Sequence, residues 1–145
     1  MTDDPTLALL RRFFQAVSFD EGGKPAYPRL HDLFIEGGKL IANSGPEPAV
    51  TGVAGFIAAR QPAVDSGELT WFEEVEIDGV TVAFGNVAHR FSRYAKRGRR
   101  AGEDFAGQGM ISTQFVRSPH GWRISSMAWD DERPGLTLPP SGSTS

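Results

Sequence analysis

No cysteine occurs in the 145 residues, which excludes a disulfide framework, a thiolate metal site and a thiol nucleophile. Neither sign of charge dominates. Fifteen Lys and Arg stand against 18 Asp and Glu, a formal net charge of -3, so the broad basic face of a nucleic-acid binder is missing. The one basic run, "KRGRR" from Lys96 to Arg100, falls between two strand-like segments and is read as a solvated hairpin tip. Long hydrophobic runs are also lacking. The apolar stretch of "MTDDPTLALL" is broken by Arg11 and Arg12, so it resembles neither a secretion signal nor a membrane span, and a cytoplasmic protein with no membrane partner is expected. No glycine-rich phosphate loop, internal repeat or serine in a nucleophile elbow is visible, and no cofactor is expected.

The length suits one domain with a core of its own, expected over residues 1–132. The remainder, "RPGLTLPPSGSTS" from Arg133, is rich in Pro, Gly and Ser and has little to bury, so a loose tail is expected there. Asp3 or Asp4 before Pro5 signals a helix start, and Leu7, Leu10, Phe14 and Val17 recur at helical spacing to about Val17. A short helix from Tyr27 to Asp32 then leads into "LFIEGGKLIA", a small hairpin or bent strand turning at Gly37 and Gly38. Thr51 is placed as the cap of a third helix carrying Val53, Phe56 and Ile57, with Pro62 as its stop. From Leu69 the period changes to two. Helices followed by a strand meander predict an α+β domain with its helices gathered on one face of the sheet.

The segments "LHDLFIEGGKLIA", "TGVAGFIAAR", "WFEEVEI", "GNVAHRFSRY", "GQGMISTQF" and "GWRISSMAWDDE" resemble successive blocks of the nuclear transport factor 2-like superfamily, in its SnoaL-like, uncharacterised branch. The resemblance covers about Leu7 to Glu132. It implies a strongly curved antiparallel sheet forming a cone around N-terminal helices, a fold shared with ketosteroid isomerase, scytalone dehydratase, limonene epoxide hydrolase and pure binding or assembly domains. None of these blocks is a catalytic signature.

Turn chemistry assigns the faces of the meander. Asp78-Gly79 reads as a two-residue hairpin turn, which sets Glu73 opposite Phe84 and Trp71 opposite Asn86. "SPHG" reads as a turn closed by a glycine bulge, with Ser118 opposite Trp122, Thr113 opposite Met127 and Ile111 opposite Trp129. A longer turn over Arg97 to Gly102 sets Tyr94 opposite Phe105 and Arg90 opposite Gly109. Since paired residues share a face, the inner face carries Leu69, Trp71, Glu73, Val75, Val82, Phe84, Asn86, Ala88, Arg90, Ser92 and Tyr94. It continues with Phe105, Gly107, Gly109, Ile111, Thr113 and Phe115, then Ser125, Met127, Trp129 and Asp131. Phe72, Glu74, Val87, His89, Phe91, Met110, Val116, Trp122 and Ile124 fall on the outer face. That face is too apolar to stay wet, and a homodimer through it is expected.

Glu73 is the unusual inner residue, a carboxylate among apolar neighbours whose pKa burial would raise, and it is the candidate proton acceptor. The bland reading of Glu73 is a paired, structural carboxylate. Arg90, opposite Gly109 and in one row with Asp131, either closes an ion pair or holds an anionic group of a ligand. Trp71, Asn86, Ser92, Tyr94, Met127 and Trp129 complete the candidate ligand-binding wall. His31, His89 and His120 do not converge, so no metal site is expected. The leading expectation is a small-molecule-binding domain for an apolar molecule with a polar or anionic group. The alternatives are a cofactor-independent isomerase, lyase or hydrolase using Glu73, and a dimeric assembly module with a filled cone.

Overall fold

The computed structural model describes residues 4–140; Asp3 and the end of the tail, residues 141–145, lie outside the described residues. Helix α1 runs over Pro5–Val17. Its start is fixed by Asp4, whose side chain accepts from the Thr6 and Leu7 amides and satisfies donors that the first turn leaves free. Leu9, Leu10, Phe13, Phe14 and Val17 bury one stripe of it. A 3-10 helix over Tyr27–Asp32 leads into strand β1, Phe34–Ala42. This is a bent strand, with Gly37 at a φ of 80° and an irregular register between Phe34 and Lys39. Strand β2, Ala49–Thr51, pairs with it antiparallel.

Helix α2, Val53–Asp65, departs from expectation at both ends. Gly52 is its N-cap, while the Thr51 hydroxyl donates to the Leu40 carbonyl across the β1–β2 pair. Pro62 lies inside the helix rather than ending it. Its missing N–H costs one bond, but its carbonyl still accepts from the Ser66 amide at 3.0 Å, and the helix continues to that point.

Four long strands follow: β3, Leu69–Phe84; β4, Val87–Arg100; β5, Glu103–Ser118; and β6, Gly121–Asp131. They form one six-stranded sheet in the order β2-β1-β6-β5-β4-β3. All pairs are antiparallel except β1 with β6. The sheet curls over α1, which packs against β3, β4 and β6. This is the expected α+β cone. Phe19 pairs with Phe72 and covers the outer edge of β3, which would otherwise be free to pair with another chain.

Three turns differ from the sequence reading. The β3–β4 hairpin turns at Gly85-Asn86, with Phe84 opposite Val87, and Asp78-Gly79 lies within a continuous strand. The "KRGRR" run is not a hairpin tip either, since Lys96 to Arg100 finish β4 and the chain turns at Ala101-Gly102, where φ is 52° and 81°. That tight turn moves the β4–β5 register by four residues from the expected one, so Tyr94 faces Gly109. An even shift preserves the faces. At the third turn Ser118 pairs with Gly121, and the extra residue sits at Ser125 instead. The expected partners Thr113–Met127 and Ile111–Trp129 are found, but Ile124 becomes fully buried and Trp122 packs on the core.

The described part of the tail is tied back. Arg133 bridges to Leu136, Leu138 donates to Glu132, and Arg93 donates to the Pro139 carbonyl at 2.7 Å. No helix among the described residues is long and apolar enough to cross a membrane.

Candidate functional site

One extra residue decides which carboxylate faces inward. The β3–β4 register shifts between Glu76 and Asp78, leaving Ile77 as a bulge. An inserted residue exchanges the two faces of everything beyond it. Glu73 therefore lies on the outer face opposite Arg97, exposed and ion-paired to it at 2.8 Å. Trp71 joins it there, with the Arg97 guanidinium 5.6 Å from its ring centroid. Val75, Val82 and Phe84 are exposed outside, and Asn86 is in the turn. Phe72, Glu74 and Glu76 occupy the inward positions, opposite Gly98, Lys96 and Tyr94. Glu73, Trp71 and Asn86 are thus not part of an inner site.

Arg90 and Ser92 are inward and buried, but they are spent on structure. Arg90 grips Glu76 with two bonds of 2.6 and 2.8 Å and donates to Thr81; Ser92 donates to the same Glu76 carboxylate at 2.7 Å. Thr81 passes the chain on to Asp4, the cap of α1. Every charged atom in this cluster has a partner, which is what a low-dielectric interior requires. The expected row of Arg90, Gly109 and Asp131 is replaced by Tyr94, Gly109 and Asp131. The gap left by Gly109 is filled by the Tyr94 hydroxyl end, which a Cβ there would strike. Met127 is buried in the core rather than on the site wall.

Beyond that cluster the interior is open. A cavity of about 400 Å³ lies between α1, α2 and the curled sheet. Phe13, Phe56 and Trp129 make one wall, with Phe56 centred 6.1 Å from each of the other two rings. Phe72 and Phe105 stack at 6.3 Å on the other, Phe105 seated over Gly98 where no side chain interferes. Glu74, Tyr94, Lys96, Arg60 and Tyr27 bring the polar groups into this apolar setting.

Glu74, which lines the cavity, and Asp131, which lies behind Tyr94 and Lys96, are treated differently by the fold. Asp131 receives the Tyr94 hydroxyl on Oδ1 and the Lys96 ammonium on Oδ2, the latter at 2.8 Å. Glu74 is held by its backbone, whose N–H donates to the Ser18 hydroxyl at the end of α1 at 3.0 Å. Among the described residues its carboxylate has no hydrogen-bond or ion-pair partner; Lys96, directly opposite on β4, turns to Asp131 instead. Burial therefore pushes the Glu74 carboxyl up to about 7, with the charge of Asp131 adding to the rise and Lys96 and Arg60 opposing it. Burial and the bond to Asp131 push the Tyr94 phenol up as well. A raised carboxyl facing a cavity is the arrangement that lets an acid exchange protons near neutral pH.

Arg60 was not singled out from the sequence. It stands one helical turn after Phe56, its guanidinium 3.7 Å from the Phe56 ring centroid and 6.0 Å from that of Trp129. Its one hydrogen bond among the described residues is a 3.4 Å contact with the Phe56 carbonyl. The three histidines remain apart, each of them exposed.

No protein-family model matches the sequence, and no curated protein matches it. Solved structures do resemble it. A nuclear transport factor 2-like superfamily protein from Salmonella enterica aligns with a TM-score of 0.69 over 96% of this chain and 94% of its own, at 16% identity. A nuclear transport factor 2-like protein from Cytophaga hutchinsonii aligns at 0.68 over 91% and 100%, with 14% identity. One of unknown function from Prochlorococcus aligns at 0.68 over 92% and 95%, with 15% identity. The chain has the nuclear transport factor 2-like fold.

Proposed function

We propose that the cavity binds a small, largely apolar molecule and that Glu74 moves a proton on it, in a cofactor-independent isomerisation or elimination. The observation that carries this reading is the Glu74 carboxylate, which lines a largely aromatic cavity and has no hydrogen-bond or ion-pair partner among the described residues. A fold keeps a half-buried acid without a partner in an apolar setting at a cost in stability, and such groups concentrate where proton transfer is needed. With its carboxyl near 7, Glu74 is poised to accept and return a proton at neutral pH. The role expected of Glu73 belongs to its neighbour.

The carbon acid suited to such a base lies beside a carbonyl group. As Glu74 takes the proton, negative charge develops on the carbonyl oxygen. Tyr94 and Arg90 have already given their donors to Asp131 and Glu76. Lys96 has three N–H donors and spends one on Asp131, so its remaining donors are available to stabilise the oxyanion. Glu74 then returns the proton to a second carbon, or a leaving group departs with the electron pair. An open cavity of this size also argues against the filled cone of an assembly module.

The test is a screen of apolar ketones and esters in heavy water, read by proton NMR for loss of signal beside the carbonyl. Exchange catalysed by the native protein and reduced at least about a hundredfold in Glu74→Gln supports the proposal. Exchange that survives the substitution, or none with any carbonyl compound, would refute it.

We further infer a homodimer through the outer face of β3 and β4. Val80, Val82, Phe84, Val87 and Phe91 form a contiguous apolar surface there, with Phe84 87% exposed. Monomers rarely leave such a patch wet.

A further inference from the structure

We propose that the molecule taken up in the cavity is an organic carboxylate with a flat apolar body, and that Arg60 is the residue that selects its anionic group. The inference rests on reading the cavity as a ligand site and is independent of whether Glu74 transfers a proton.

The other cations at the cavity are already neutralised. Lys96 is paired with Asp131 at 2.8 Å, and Arg100 with Glu68 at 2.5 Å. Arg60 has no ion pair among the described residues. Its flat face lies on Phe56, and this cation-π contact occupies the face of the guanidinium while leaving its N–H edges free. Of five donors, one reaches a backbone carbonyl, at 3.4 Å. Burial lowers the pKa of Arg60, with the charge of Glu74 opposing the fall; a guanidinium stays charged, so the fold holds a half-dehydrated cation with no direct ion pair among the described residues.

A ligand carboxylate supplies what is missing. Its two oxygens match the planar fork of Arg60, while its apolar body meets Phe13 and Trp129, which enclose the same space. Glu74 opposes this binding only in its ionised form, which burial disfavours. The anion expected at Arg90 from the sequence is thereby moved to α2. Nothing in the β4 cluster offers a free donor fork, since Arg90 is fully engaged with Glu76, Thr81 and Asp4.

Isothermal titration calorimetry with two probes of matched shape, naphthoate and the neutral naphthalenemethanol, tests the assignment. The native protein is expected to prefer naphthoate by about tenfold to a hundredfold, the range for a charge-assisted hydrogen bond. Arg60→Gln should abolish the preference by weakening naphthoate binding far more than naphthalenemethanol binding, and Arg60→Lys should keep part of it. A preference that persists in Arg60→Gln, or equal binding of both probes by the native protein, overturns the assignment of Arg60 while the cavity remains a ligand site. If neither probe binds, the ligand-site reading falls with it.

Discussion

Replacing Glu74 by glutamine should make the protein more stable at pH 8 and leave it nearly unchanged at pH 4. The carboxyl is raised from its ordinary value of 4.5 to about 7. At about 1.4 kcal/mol per tenfold change, the full rise corresponds to about 3 kcal/mol. Because the side chain borders a cavity that water can enter, about 2 kcal/mol is the working figure. The sign follows from which state releases its proton first. Below pH 4.5 both folded and unfolded chains hold the proton, and no penalty exists. Between 4.5 and about 7 the unfolded chain ionises while the folded one does not, so stability falls as pH rises. Above about 7 the folded protein carries the ionised carboxylate, and the whole penalty is present. The groups facing Glu74 set this balance: Lys96 and Arg60 favour the ionised form, Asp131 disfavours it, and burial prevails. Glutamine keeps the shape without the charge. Thermal unfolding followed by circular dichroism should show a gain of roughly 5–10 °C for Glu74→Gln at pH 8. A loss of stability at both pH values would refute the reasoning, because it would mean that the carboxylate holds the fold together.

Two further substitutions probe the surroundings. Arg90→Leu leaves the buried Glu76 carboxylate uncompensated and should cost about 3–5 kcal/mol in urea unfolding, with much of the loss recovered in the double variant with Glu76→Leu; a cost below about 1 kcal/mol would contradict the pairing seen here. Phe84→Glu places a charge in the exposed patch and should convert a dimer to a monomer in light scattering at micromolar concentration, whereas a native protein that is already monomeric would refute the dimer.

The sequence carried the architecture further than the site. Asp4 before Pro5 and the spacing of Leu10, Phe14 and Val17 locate α1, because capping and periodicity are local effects. The inward set Ala88, Arg90, Ser92 and Tyr94 was also legible, since alternation along one strand survives an error in the neighbouring turn. The acid was missed by one position for a specific reason. Asp78-Gly79 signals either a hairpin turn or an irregularity within a strand, and here the chain continues past a bulge at Ile77 to turn at Gly85-Asn86. Turn placement alone does not rescue the assignment. Only the bulge brings Glu74 inward and sends Glu73 out. The β5–β6 pair repeats the lesson, with Ser125 as the extra residue and Ile124 as the side chain buried by it. Arg60 escaped notice because its role depends on the sheet curling over α2, a contact that no local pattern reports.

The central claim is that Glu74 exchanges its proton near neutral pH inside the cavity. Carbon-13 NMR of the glutamate side-chain carboxyls, with the Glu74 signal assigned by its loss in Glu74→Gln, measures this directly. The account predicts a titration midpoint of about 7. A midpoint at the ordinary value of 4.5 would show a solvated or well-partnered carboxylate and would contradict it.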